Sequence, residues 1–436
     1  MNFMLVPLIM FGSLIICLCV GIPVVYAIGI VAVLSAVGLW GPNSIFGLIT
    51  ASIGVMNNWT LLAVPLFTFM SVVLFKTGVV EELYDTFYRF TGKLRGGLAV
   101  CSVLVGTLMG AMTGVVAGTV VALGTIALPQ MLKYKYDKYI SMGAVLSGGT
   151  LGQLIPPSVL MIIYGSMTGV SVGGLFAGGI SSGLLLSFLF CSYILIRCSI
   201  NKDLCPAMPV GERQPFSENL KYLKNVIAPI LLVLCVLGSI FGGIATPTEA
   251  AAVGSAGAIV IAAFRKKLTW RAVRGACHDT LKITAMVGFI MVAASFFGQV
   301  FIASGGNKFV MAMADIIPFG QYGVLFVTLA IVFFLGCFLE TNAIVIICAP
   351  IFTPLIQAAG IDPLWFGVVF IICLQGAYLT PPFGMSLFYL KSVAPPGIIL
   401  KDIIRAGLPF LALQLLGLIL CIVFPFLAMW GLKVFM

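Results

Sequence analysis

Charge is scarce in this sequence. Only 8% of its 436 residues are Asp, Glu, Lys or Arg, and the mean hydropathy is +1.20, more apolar than a water-soluble core can absorb. Histidine is scarcer still. His278 stands alone beside a basic stretch, so histidine-based zinc chemistry and Ser/His catalysis lack their material. The twelve cysteines are scattered, mostly in apolar stretches, with no C-x-x-C pair. They read as small buried hydrophobes, not as disulfides or metal ligands. No phosphate-binding loop occurs, which argues against an ATP-driven pump. Paired intramembrane aspartates are also missing, leaving an intramembrane enzyme as a remote alternative. Short segments of alternating polarity are absent, which excludes a membrane barrel.

What is present is the pattern of an all-α membrane protein. Apolar windows of spanning length fall at about 3–20, 23–40, 59–75, 139–164, 174–196, 226–243, 247–264, 283–303, 362–390 and 407–430. The first, "MNFMLVPLIMFGSLIICLCV", has neither a basic n-region nor a small-residue cleavage site, and reads as a retained span. Stretches 96–131 and 322–356 differ. Each is too long for one helix and carries glycine or polar residues at its centre, so each is expected to enter and return on the same side.

That arrangement can be checked against the basic residues. With ten crossings and two such hairpins, 21 of the 23 Lys and Arg share one face. They include Lys76, Arg89, Lys93, Arg95, Lys133, Lys135, Lys138 and the loops 197–224, 265–282 and 391–405. Only Lys308 and Lys433 lie opposite. The positive-inside rule makes the basic face cytoplasmic and places both termini outside. The net charge of +10 is thus a topology signal in a lipid bilayer, not a footprint for nucleic acid.

The sequence also repeats. "GIPVVYAIG" around Pro23 matches "ATPTEAAAVG" around Pro247, "IALPQML" at Ile126 matches "IFTPLIQ" at Ile351, and Pro156-Pro157 matches Pro381-Pro382, all at an offset of 224 or 225. Five spans and a hairpin in each half put the halves in opposite orientations. An inverted repeat of this kind characterises many secondary transporters. The expected division is a first repeat over 1–197 (hairpin 96–131, broken helix 139–164), a cytoplasmic linker over 198–225, and a second repeat over 226–436 (hairpin 322–356, broken helix 362–390).

Each Pro-Pro pair interrupts an apolar run at mid-depth. Broken helices in lipid are tolerated where the freed backbone is buried in protein or lines a cavity. The half-helix after each pair points free N–H groups inward, suited to an anion, and the half before it offers carbonyls, suited to Na⁺. The hairpin tips "GAMTGVVAG" and "GCFLETNAI" supply similar groups from the other side. The candidate ion- and substrate-binding residues are therefore Met112, Thr113, Gly114, Gly149, Pro156, Pro157 and Ser158, together with Glu340, Thr341, Asn342, Thr380, Pro381, Pro382 and Gly384. Those proposed for Na⁺ are Thr113, Gly114, Gly149, Pro156, Glu340, Thr341, Asn342 and Thr380. An intramembrane Glu340 is a functional hypothesis by default. Glu249, near a span end, reads as a structural cap, and Gly148-Gly149 and Gly173-Gly174 read as sites of close helix packing.

"GGIATPTEAAAVG", "GTLGQLIPPSVLMIIYG" and "LTPPFGMSLFYLKSVAPP" resemble the large membrane subunit of tripartite ATP-independent periplasmic (TRAP) transporters, over essentially the whole chain. The resemblance implies an elevator-type transport domain moving on a scaffold, and Na⁺-driven uptake of an organic acid anion across a bacterial or archaeal inner membrane. It also implies two partners, a small membrane subunit and a periplasmic substrate-binding protein, and no nucleotide. The chain departs from the family pattern at two places. The first tip, small-Gly-Ser-Ser in the family, is Thr113-Gly114-Val115-Val116 here, and Glu340 stands where an Asp is often seen. A stand-alone Na⁺- or H⁺-coupled dicarboxylate or ion carrier of the same architecture is the alternative reading.

Overall fold

A computed structural model describes residues 5–92, 94–207, 216–382 and 384–436. Lys93 and positions 208–215 of the expected linker lie outside them. Among the described residues every regular element is helical. Seven helices are long and apolar enough to cross a membrane alone, and shorter apolar helices accompany them. Many, including Val24–Trp40 and Pro363–Ala377, are apolar around most of their circumference. A helix of that kind has no water-facing side and must be surrounded by lipid or protein.

The order of the helices repeats. Helices Val24–Trp40, Phe46–Met56, Val79–Thr91, Gly97–Thr113, Val116–Lys133, Lys138–Thr150, Val159–Thr168 and Val172–Ile200 each have a counterpart starting 223 to 228 positions later. The counterparts are Pro247–Phe264, Trp270–Ala303, Gly306–Ile316, Gly320–Gly336, Thr341–Ala358, Pro363–Ala377, Met385–Val393 and Leu400–Val423. Local chemistry repeats with them. Asp137 Oδ1 accepts from the N–H groups of Tyr139 and Ile140 at 3.0 Å each, and Asp362 Oδ1 from those of Leu364 and Trp365 at 2.7 and 3.0 Å. Each aspartate thus caps the helix that leads into a Pro-Pro break.

Both long stretches read as hairpins are pairs of packed helices, Gly97–Thr113 with Val116–Lys133 and Gly320–Gly336 with Thr341–Ala358. Both broken windows are broken. Helix Lys138–Thr150 gives way to a 3₁₀ turn, Leu151–Gln153, and resumes at Val159; helix Pro363–Ala377 stops and resumes at Met385. Glu249 is a cap as expected. It accepts from Thr246 N at 2.8 Å while Thr246 Oγ1 accepts from Glu249 N at 3.3 Å.

Other expectations need correction. Region 265–282 is not a loop: from Trp270 onward it is the start of a 34-residue helix, capped by Thr269 Oγ1 accepting from Ala272 N at 3.2 Å. Arg271, Arg274 and Lys282 masked that continuity in a hydropathy reading. The loop 391–405 is short, because helices end at Val393 and restart at Leu400. The window 407–430 is two helices, divided at Phe424 because Pro425 starts a new one. The described parts of the linker at 198–200 and 216–225 continue helices Val172–Ile200 and Phe216–Phe241. Helices Phe46–Met56, Val79–Thr91 and Gly306–Ile316 were not anticipated.

Contacts sort the connections into two ends. At one, Lys76 pairs with Asp279 at 2.9 Å, Arg265 and Lys267 with Glu82 at 2.6 and 3.4 Å, and Lys138 with Asp402 at 3.0 Å. The N–H groups of Gly96 and Asp137 donate to the carbonyls of Cys205 and Leu204 at the same end. These are the segments whose basic residues the sequence gathers on one face. At the other end Thr248 Oγ1 donates to the Trp59 carbonyl at 3.1 Å. A polar cleft of about 350 Å³ there is lined by Asn58, Thr60, Ser166, Ser171 and Pro247. None of its lining residues belongs to a hairpin tip or to a break.

Candidate functional site

Two half-sites can be traced, each built from a hairpin tip and a break. In the first, helix Gly97–Thr113 ends on Gly114, whose φ of +59° lets its N–H reach the Gly110 carbonyl at 2.9 Å. A Cβ on Gly114 would lie 2.5 Å from the Pro157 carbonyl oxygen, so tip and break are in contact and only glycine fits between them. One turn back, a Cβ on Gly110 would meet Gly152 Cα at 2.7 Å. Thr113 Oγ1 donates to the Met109 carbonyl at 2.9 Å and lies 3.0 Å from Thr119 Oγ1 across the tip. Ser71, on helix Ala63–Lys76, donates to the Met112 carbonyl at 2.7 Å. Ser158 Oγ donates to the Gln153 carbonyl at 2.6 Å, bridging the break.

The second half-site repeats this plan with different side chains. Glu340 is the N-cap residue of helix Thr341–Ala358, and Asn342 Nδ2 donates to Glu340 Oε1. Thr341 Oγ1 lies 3.3 Å from the Tyr378 hydroxyl, joining the tip to the break. Ser386 Oγ bridges that break by donating to the Tyr378 carbonyl at 2.6 Å. Thr380 Oγ1 donates to the Gly376 carbonyl, and Gly384 N–H to the Thr380 carbonyl at 3.0 Å, with Pro381 and Pro382 between them.

The structure therefore brings together Met112, Thr113, Gly114, Pro156, Pro157 and Ser158, and separately Glu340, Thr341, Asn342, Thr380, Pro381, Pro382 and Gly384. Gly149 is different. A Cβ there would strike the Val120 side chain at 2.4 Å, so its smallness serves packing against the outer hairpin arm. Gly148 behaves similarly, facing the Ser102 carbonyl, and a Cβ on Gly174 would press on Leu364.

Sequence reasoning missed Ser71, Thr119, Gln153, Gln375, Tyr378 and Ser386. Ser386 and Tyr378 were detectable, because each break has a serine after the prolines and each bridge ends three positions before them. Gln153 and Gln375 are buried, with carboxamides that have no hydrogen-bond partner among the described residues. A glutamine inside an uncharged run was the available signal.

The two half-sites differ in exposure. Residues Leu151 to Leu160 are all buried, whereas Thr380 and Pro381 are half-buried and Pro382 is exposed. They differ in charge as well. Within residues 97–131, 139–168, 320–358 and 363–390 Glu340 is the only charged side chain, while Lys133, Lys138 and Lys391 stand at the ends of the helices that continue beyond those ranges. Among the described residues no cluster of three His, Cys, Asp or Glu side chains exists. The available ligands are carbonyl, hydroxyl and one carboxylate oxygen, a donor set for a hard cation and not for a transition metal.

The arms of the hairpins are exchanged between halves. Helix Val116–Lys133 packs on Met385–Val393 of the second break, and Thr341–Ala358 packs on Val159–Thr168 of the first. The repeat-related elements thus form one interlocked body.

Two solved structures share this fold. The YdaH transporter of Alcanivorax borkumensis superposes with a TM-score of 0.63 at 16% identity over 97% of this chain and 99% of that one. MtrF of Neisseria gonorrhoeae gives 0.62 at 14% identity over 90% and 85%. Sequence relatives are closer. The C4-dicarboxylate TRAP transporter large permease protein DctM of Pseudomonas aeruginosa is 34% identical over 392 residues, 89% of either chain. The ectoine/5-hydroxyectoine large permease UehC of Ruegeria pomeroyi is 30% identical over 84% of either chain. The isethionate permease DctMQ of Oleidesulfovibrio alaskensis is 28% identical over 97% of this chain and 66% of its own length. Residues 11–427 match the family described as tripartite ATP-independent periplasmic transporter, DctM component. With paired half-sites inside an all-helical membrane body and that match over nearly its whole length, the chain belongs to the DctM family, as a large membrane subunit of TRAP transporters and not an enzyme.

Proposed function

We propose that this subunit couples inward Na⁺ movement to uptake of an organic acid anion handed over by a periplasmic binding protein, with a small membrane subunit alongside. The two halves are read as inverted repeats, and the interlocked hairpins and broken helices as the body that moves, elevator-fashion, against the remaining helices. The observation that carries this reading is the pairing of each break with its own tip: Gly114 against the Pro157 carbonyl, and Thr341 against the Tyr378 hydroxyl. Each pairing sets carbonyl and hydroxyl oxygens beside a half-helix N-terminus, so a cation and an anionic group can bind within reach of each other. The relatives' names support the substrate class, since they include transporters of C4-dicarboxylates, ectoines and isethionate. The permease DctMQ supports a membrane partner by carrying more chain than this one.

Uptake by the reconstituted assembly should require a Na⁺ gradient and the binding protein, and should be unchanged by ATP. Uptake that proceeds at full rate with K⁺ replacing Na⁺ on both sides would remove the coupling. Uptake by the large subunit alone would favour a stand-alone carrier.

A further inference from the structure

Helix Trp270–Ala303 has 34 residues and is therefore about 51 Å long, against roughly 30 Å for a hydrocarbon layer. Even when tilted, it extends past the apolar layer at one end. Ion pairs fix the level of that end. Lys76, the last residue of helix Ala63–Lys76, meets Asp279, while Arg265 and Lys267, just past helix Pro247–Phe264, meet Glu82. Arg271, Arg274, His278 and Lys282 follow at spacings of three, four and four, so they share one helix face, and all four are exposed. The opposite face, through Ala276 and Thr280, is buried. Farther along, the same exposed face becomes apolar at Ala285 and Phe289. Arg271, Arg274 and Lys282 enter no ion pair among the described residues, although the neighbouring cations do.

We propose that this stripe binds the phosphate headgroups of anionic phospholipids in the leaflet on the basic side, with their acyl chains along Ala285 and Phe289. The proposal goes beyond the sidedness signal, which counts cations without regard to the face they occupy. Three features point to lipid and away from a merely solvated face. Two arginines one turn apart suit phosphate oxygens, since each guanidinium offers parallel N–H donors. The cations stop where the apolar stretch begins, which is the order of groups along a phospholipid. Exposed Trp270 and Phe264 lie near the same cations, as aromatic side chains do at a membrane interface. The helix packs on Val24–Trp40, Phe46–Met56 and Ala63–Lys76, so lipid held on its free face fixes the depth of that group in the bilayer. One juxtamembrane cation raises affinity for an anionic surface about fivefold, and three together on the order of a hundredfold.

The test uses the full chain purified with its small membrane subunit in detergent. Thermal unfolding is followed with dioleoyl phosphatidylglycerol, with dioleoyl phosphatidylcholine, and with glycerol 3-phosphate as the free headgroup. Phosphatidylglycerol should raise the midpoint and the other two should not. Arg271→Gln/Arg274→Gln/Lys282→Gln should increase the phosphatidylglycerol concentration needed at least tenfold. Lys133→Gln/Lys135→Gln/Lys202→Gln removes as many exposed charges from the same side and should leave the response unchanged. Equal losses in the two variants would reduce the stripe to general surface charge and overturn the proposal. A midpoint raised as much by phosphatidylcholine or by glycerol 3-phosphate would do the same. If the first variant does not fold, the protein with only Cys235→Ser decides. Alkylation of exposed Cys277, next to His278, should slow when phosphatidylglycerol is added and stay unchanged with phosphatidylcholine. No slowing would overturn the proposal. Cys277 open in the single chain but shielded in the lipid-free complex would place the small subunit on the stripe instead of lipid.

Discussion

Gly114 shows how much of the site depends on one missing methyl group. Its left-handed backbone costs an L-residue roughly 1–2 kcal/mol, and an added Cβ would also sit 2.5 Å from the Pro157 carbonyl oxygen. Gly114→Ala should lower stability by on the order of 2 kcal/mol, read as a fall in the detergent melting midpoint. Gly118, four positions on, has open space where a methyl group would stand and should accept Ala with no loss. Equal midpoints for the two variants would show that the tip-to-break contact carries no energy. At this scale the sequence was informative where backbone chemistry is unusual. Gly114, the prolines and Glu340 declare themselves as residue types that a buried helix avoids. Tyr378 and Gln375 do not, because an aromatic or an amide in an apolar run is ordinary until its neighbours are known. Gly149 was read in the sequence both as a packing glycine and as a candidate ion site, and its contact with Val120 accounts for the first reading.

The unit at the next scale is the break, which is longer than its prolines. Regular α-helix is lost from Leu151 to Ser158, and in the second break it ends at Ala377 and restarts at Met385; each gap is held by one serine hydroxyl on a backbone carbonyl. Interior proline opposes a helix by roughly 3 kcal/mol, so Pro156→Ala/Pro157→Ala should let helix Lys138–Thr150 extend toward Val159. Stability without Na⁺ should hold or rise, whereas Na⁺-dependent stabilisation and uptake per reconstituted molecule should fall at least tenfold. If the prolines only shape packing, expression and midpoint fall first and the surviving protein transports normally. Which elements could be read beforehand follows from the same physics. Apolar periodicity and proline spacing announce hairpins and broken spans, since lipid leaves few alternatives. Helix Val79–Thr91 was hidden because its charges resemble a loop, and the first 13 residues of helix Trp270–Ala303 for the same reason. Charge reports contact with water, and water contacts loops and protruding helices alike.

For the molecule as a whole, the gathering of Lys76, Glu82, Arg265, Lys267 and Asp279 in one cluster agrees with a single basic face. Single cysteines at Lys135, Lys266 and Lys401, in a background with exposed Cys235 and Cys277 replaced, should react with membrane-impermeant reagents only from the cytoplasm. A cysteine at Gly320 should react only from outside. Cytoplasmic labelling at Gly320 would contradict opposite orientation of the two halves.

The exchanged hairpin arms also bear on how the chain is made. The face of helix Val116–Lys133 around Gly124 rests on Leu390 and Val393, more than 260 residues later in the chain. Until the ribosome has delivered those residues, that face of the helix is uncovered, although its other sides already pack on helices Gly97–Thr113 and Lys138–Thr150. A chain truncated before Met385 therefore leaves the Gly124 face of the first hairpin uncovered, and such a truncation should be degraded faster in cells than the full chain, as a pulse-chase would read.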